Sequence, residues 1–283
     1  MKGLLPVLAA TAALALASPA AQTKFKSRVE SVRFDALVTQ DGRPVNGLTA
    51  PDFEVRDNGV LQKVTVVEES ALPVDVILAL DMSASLTQDR MLMLREAAFS
   101  LLDALDDDDR AALVTFTHVL TRRQGLTADH RLVRTALPET AQSGGTALID
   151  AIYAALAMSE PGEHRTLLIV LSDGVDTASW LDPDSVIRSA HRSETVIYAV
   201  STAGPNRSPG ILKEITAASG GEVFEVDSAR LASTFVEIVK EFRRRYLLNY
   251  THERTPAPGW HRIDVRVKRR GAVVKARSGY DVR

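Results

Sequence analysis

Cysteine is absent from all 283 residues. That excludes disulfides, thiolate metal sites, cysteine nucleophiles and a lipidated N-terminal cysteine. Charge of one sign is also missing. The net charge is -2, so the whole-molecule field favours neither nucleic acid nor an acidic membrane. Long apolar runs are confined to the first residues, and no later stretch is long enough to span a bilayer. What remains is an ordinary globular composition, 45% hydrophobic and 25% charged, in a chain long enough to build a packed core.

The one apolar run, Leu4 to Ala17, follows Lys2 and leads into the small residues Ala15-Leu16-Ala17 and Ser18-Pro19-Ala20. A charged start, a short apolar centre and a small-residue end predict a secretory signal peptide over residues 1–21. The expected location is therefore secreted or periplasmic. A retained anchor is the alternative, but the run is short of the roughly 20 residues a spanning helix needs.

Both flanks of the mature chain read as strands. Val32, Phe34, Ala36 and Val38 alternate with polar residues, and Asp57-Asn58-Gly59 is a tight-turn signal. Near the other end Tyr246 to Tyr250 reads as a strand, and Ile263, Val265 and Val267 alternate with Asp264, Arg266 and Lys268. Neither flank has strands enough to close a core alone. The expectation is one small β-sandwich made from residues 22–72 and 246–283, with residues 73–245 inserted between them. Lys268-Arg269-Arg270 reads as a solvated hairpin tip and Trp260 as a residue packed at the sandwich edge.

The centre is organised around Val74-Asp75-Val76-Ile77-Leu78-Ala79-Leu80-Asp81-Met82-Ser83-Ala84-Ser85. Its apolar run has the character of a strand buried on both faces, as in a parallel sheet. The strand's tip delivers one carboxylate and two hydroxyls to the edge where open α/β sheets bind ligands. Oxygen donors of this kind suit a hard cation such as Mg²⁺ or Mn²⁺. On its own the piece is equally compatible with helix capping. Helices and strands then alternate: an amphipathic helix over Gln88 to Leu105, strands over Ala111 to Thr117 and Arg165 to Leu171, and a last helix over Ala229 to Arg245. This order predicts a doubly wound, mostly parallel sheet. Asp106-Asp107-Asp108-Asp109 reads as a solvated turn, and Arg243-Arg244-Arg245 as charge complementing a helix C-terminus. Gly144-Gly145-Thr146 opens a helix without matching a phosphate-binding loop. Thr146 there is either a helix N-cap or a presented hydroxyl. Asp173 ends its strand as Asp81 ends its own.

Asp81-x-Ser83-x-Ser85, Gly145-Thr146 and Ser172-Asp173-Gly174 together resemble the metal ion-dependent adhesion site of the von Willebrand factor A domain. The resemblance spans about Pro73 to Arg245. The flanks, with Arg277-Ser278-Gly279-Tyr280, resemble a secreted bacterial (acidobacterial-type) subgroup of that family. The resemblance implies hydroxyl ligands from Ser83, Ser85 and Thr146, with Asp81 and Asp173 holding the ion directly or through water. It also implies a protein partner that offers an Asp or Glu carboxylate to the ion. Ala84 replaces the familiar glycine at a position that is not a ligand. Catalysis is not expected. Metal hydrolysis needs a positioned base or nucleophile, Asp81 lacks an acid two residues on, and the six histidines show no metal-ligand spacing. An envelope scaffold with a structural or vestigial ion is the remaining alternative.

Overall fold

In the computed structural model the described residues are 31–67, 72–83, 87–140, 144–160, 162–173, 175–204, 208, 210–252 and 256–282. The expected leader, Ser85 and Gly174 lie outside them. The N-terminal flank supplies β1 (Ser31–Gln40), β2 (Arg43–Pro44), β3 (Phe53–Asp57), β4 (Val60–Gln62) and β5 (Val64–Val67). The central region runs β6 (Val74–Asp81), α1 (Gln88–Asp103), β7 (Arg110–Phe116), β8 (Leu120–Thr127), α2 (His130–Ala136) and α3 (Leu148–Leu156). It continues through β9 (Arg165–Ser172), α4 (Pro183–Arg192), β10 (Val196–Ser201), α5 (Gly210–Ser219), β11 (Val223–Glu225) and α6 (Leu231–Arg243). The C-terminal flank adds β12 (Tyr246–Thr251), β13 (Gly259–Val267), β14 (Ala272–Ala276) and β15 (Gly279–Val282).

The central sheet has the order β11-β10-β9-β6-β7-β8. Its pairings are parallel except for β8, which lies antiparallel on β7 at the edge. β6 is buried along its whole length, and apolar side chains point to both faces between Asp75 and Asp81. Val76, Leu78 and Leu80 join a core with Met91 and Leu94 of α1 and with Phe235, Ile238 and Phe242 of α6. Ile77 and Ala79 face the other way, toward Ile152 of α3, Val186 of α4 and Ile215 of α5. Two-residue alternation with apolar residues on both sides is what a sheet covered by helices on both faces requires.

The flanks build two further sheets, and each mixes strands from both chain ends. One has the order β14-β1-β12-β5 with β2 beside β1, and the other β15-β13-β3-β4. They share one apolar cluster that includes Phe34, Val38, Phe53, Val55, Tyr246, Leu248 and Ile263. This assembly sits against the N-terminal edge of the parallel sheet. Arg165, the first residue of β9, is ion-paired with Asp35 of β1, and both are buried. Its guanidinium also donates to the Phe242 and Arg245 carbonyls at 3.0 and 3.1 Å. Arg277 donates to the backbone carbonyls of His191 and of Ser193, the latter at 3.0 Å. Trp260 packs against the central region, its ring 4.2 Å from that of His191.

Two charge runs differ from their sequence reading. The last helix ends at Arg243, and Arg245 is fully buried, donating to the Gly220 carbonyl at 2.6 Å and to the Tyr198 hydroxyl at 3.0 Å. Complementing a helix dipole is therefore not its role. Nor is the whole Asp106 to Asp109 turn solvated. Asp109 is buried, accepts from the Val74 amide at 2.8 Å, and is paired with Arg243.

Candidate metal centre

β6 and β9 are parallel neighbours, with Leu80 opposite Leu171. Their next residues, Asp81 and Ser172, meet at the C-terminal edge. The Ser172 hydroxyl donates to Asp81 Oδ2 at 2.7 Å, and the Ser83 amide donates to Asp81 Oδ1 at 2.9 Å. Asp81 and Ser83 are buried at 3% and 4% exposure. Burial pushes the Asp81 carboxyl above its usual range; the Ser172 and Ser83 hydrogen bonds oppose this, while the charge of Asp173 adds to it. A buried carboxylate held by neutral donors, beside a second carboxylate, is a group that a nearby cation stabilises.

Thr146 arrives at the same edge by a different route. The Met82 amide donates to the Phe116 carbonyl at 2.8 Å, and the Ala147 amide to the Thr117 carbonyl at 2.7 Å. The segment around Thr146 is thus fastened to the end of β7, which neighbours β6. Thr146 is buried, its amide donates to the Thr177 hydroxyl at 2.9 Å, and its carbonyl accepts from the Thr177 and Ala178 amides. It does not cap α3. That helix begins after Ala147 with no cap bond from the Ala147 side chain, and its Ile149 amide donates to Asp176 Oδ2 at 2.9 Å. The capping carboxylate comes from the loop after β9, which ties that loop to the Thr146 segment. Asp173 faces Arg90 of α1 across 3.2 Å.

The structure therefore brings Asp81, Ser83, Thr146 and Asp173 to one edge, and Ser85 lies outside the described residues. A hard divalent ion fits this donor set. Its donors are all oxygens, two of them carboxylates, and the buried one receives its hydrogen bonds from neutral groups. Sequence reading missed Arg90, Asp176 and Thr177, because each acts through a partner remote in the chain. The backbone at Gly144 admits only glycine. Its φ is +131°, and a Cβ there would fall 2.1 Å from His118 Nδ1. Gly144→Ala is expected to destabilise the protein by more than about 1 kcal/mol and to weaken cation binding. Denaturant unfolding and calorimetry check this, and wild-type values in both would contradict it.

The result is an α/β sheet wound on both sides, with aspartates and hydroxyls gathered at its C-terminal edge. The family model described as von Willebrand factor type A domain matches residues 75–238, more than half of the chain. The chain belongs to that family. It is 28% identical over 135 residues to inter-alpha-trypsin inhibitor heavy chain H4 of Sus scrofa, covering 44% of this chain and 15% of that protein. Among solved structures, a von Willebrand factor type A protein from Catenulispora acidiphila is similar with a TM-score of 0.54 at 17% identity, covering 88% of this chain and 73% of that one. Proximal thread matrix protein 1 of the mussel byssus, with a zinc-occupied MIDAS motif, gives 0.55 at 21% identity, covering 68% of this chain and 50% of that one.

Proposed function

We propose that this chain is a divalent-cation-dependent protein-binding module, not an enzyme, using Mg²⁺ or Mn²⁺ held by Asp81, Ser83, Ser85, Thr146 and Asp173. The observation that carries the reading is the buried Asp81 carboxylate, raised in pKa and set beside Asp173 at the sheet's C-terminal edge. When bound, the ion supplies an electrophilic position that a partner's Asp or Glu oxygen completes. Two carboxylates leave a dication little net charge, and neutral hydroxyls leave it open to one more anionic oxygen. The mussel protein's zinc-occupied motif supports metal binding on this fold.

Val175 and Trp180 flank the Asp176–Thr177 anchor and are 69% and 94% exposed. They provide apolar contact area for a partner at the rim. Trp180→Ala is expected to weaken partner binding while leaving the cation response unchanged, measured by calorimetry on each. Equal partner affinity would remove Trp180 from the interface. The reading as a whole is tested by a pull-down from the envelope fraction and medium, with Mg²⁺ and then with EDTA. A partner retained only with Mg²⁺ supports it. One observation favours the scaffold alternative: the Arg90 guanidinium already lies 3.2 Å from Asp173. Retention in EDTA would select that alternative.

Export is part of the same proposal, through the leader over residues 1–21, giving a secreted or periplasmic protein. No described helix is long and apolar enough to cross a membrane. The domain division proposed is a von Willebrand domain over 73–245 and one β-sandwich from 22–72 and 246–283. The pairing of β1 with both β12 and β14 supports it. Deleting residues 246–283 is expected to expose the β1 amides to hydrogen exchange while β6 and β9 stay protected. Protection remaining in β1 would contradict the division.

A further inference from the structure

A second group of metal-ligating side chains lies in the flank, away from the edge that carries Asp81. Asp57 ends β3, His252 follows β12, and His261 sits in β13. One ligand atom from each lies within 4.8 Å of the other two. Asp57 and His261 are buried, and His252 is half-buried. His261 Nδ1 is 2.8 Å from Asp57 Oδ1, and His252 Nε2 is 3.3 Å from Asp57 Oδ2. We propose that Asp57, His252 and His261 form a zinc site that staples the two flank sheets together.

The geometry supports this at three points. Ligands about 2.0–2.1 Å from a tetrahedral ion stand roughly 3.3 Å apart, so the observed spacings need only a small opening at His261. The far nitrogen of His261, Nε2, lies 2.8 Å from the Ala257 carbonyl. A carbonyl only accepts, so Nε2 carries a proton, which leaves Nδ1, facing Asp57, as the nitrogen available to a metal. A backbone carbonyl holding the other ring nitrogen is a recurrent support for a metal-bound histidine. The third point is the carboxylate. Its Oδ2 accepts from the Tyr250 and Tyr280 hydroxyls, and its Oδ1 faces His261 Nδ1. The two tyrosine hydroxyls each lie 2.7 Å from Oδ2. A ligating carboxylate fixed by such donors keeps its position when the ion enters.

The donor set selects the metal. Two imidazoles and one carboxylate suit zinc better than magnesium, which takes oxygen. Without the ion, a proton on His261 Nδ1 fills the gap to Asp57. Zinc would take the place of that proton, and His252 Nε2 would give up its hydrogen bond with the Tyr280 hydroxyl, 2.6 Å away, to reach the ion. The consequence is mechanical. Asp57 and His261 belong to the β15-β13-β3-β4 sheet, whereas His252 continues β12 of the other sheet. The ion therefore joins two sheets and both chain ends in a protein that has no cysteine to do so.

The test uses the full chain carrying Asp81→Ala, so that zinc at the von Willebrand edge does not contribute. Zinc is expected to bind with a one-to-one stoichiometry by calorimetry and to raise the melting temperature. Co²⁺ is expected to give the visible absorption of a four-coordinate ion, which an all-oxygen octahedral site lacks. Adding His252→Gln or His261→Gln is expected to weaken binding by more than the ~10–100-fold typical of supporting residues. If His261→Gln fails to fold, His252→Gln decides, because that side chain is partly exposed. No zinc binding in the Asp81→Ala chain, or unchanged binding with His252→Gln, would overturn the site. Loss of the Mg²⁺ response in the otherwise wild-type protein would bear on Asp81 alone.

Discussion

Asp81→Ala is expected to abolish the rise in melting temperature that Mg²⁺ or Mn²⁺ gives the wild-type protein. A site present only in the folded state stabilises it by about 2.7 kcal/mol when free ion is a hundredfold above its dissociation constant. EDTA is expected to reverse the gain in the wild type and to do nothing in the variant. The baseline also moves. Asp81 is the acceptor for the Ser172 hydroxyl and the Ser83 amide, and stranding a buried donor costs ~1–3 kcal/mol. The diagnostic is therefore the cation-dependent increment, not the absolute melting temperature. Ser83→Ala is expected to reduce that increment less, since water replaces a neutral hydroxyl more readily than a carboxylate. An undiminished increment in Asp81→Ala would place the ion elsewhere.

The second large effect lies where the flank meets the central sheet. Asp35→Ala leaves the Arg165 guanidinium buried without its carboxylate, and both side chains are less than 5% exposed. Removing one partner of a buried pair costs about 3–5 kcal/mol, whereas replacing both with apolar residues is often neutral. Here the double variant Asp35→Leu/Arg165→Met is expected to recover only part of the loss. The Phe242 and Arg245 carbonyls would still be deprived of their donor. Denaturant unfolding of the three variants measures this. A cost below about 1 kcal/mol for Asp35→Ala would mean that the pair behaves as a surface contact.

Local signals carried much of the central region. β6 was legible because seven apolar or buried positions in a row, ending in an aspartate, have few other physical solutions. Asp81, Thr146 and Asp173 were legible by analogy with a spaced motif, and the structure places all three at one edge. The supporting groups were not. Arg90 meets Asp173 from 83 positions away, and Asp176 caps a helix 27 positions before it. Nothing in residue spacing marks a side chain that works through a distant partner. Arg245 failed differently. Basic residues at a helix end have a sufficient surface explanation, so burial of one of three consecutive arginines leaves no trace in composition. The histidines are the sharpest case. His252 and His261 have no ligand spacing, because strand pairing and not sequence brings them to Asp57, 204 positions away from His261.

The central claim is that this edge holds a divalent ion through Asp81. Calorimetric titration of Mn²⁺ into the wild-type chain and into Asp81→Ala tests it most directly. Saturable binding of one ion in the wild type, lost in the variant, is the predicted result. No binding heat in the wild type, or the same isotherm in Asp81→Ala, would contradict it.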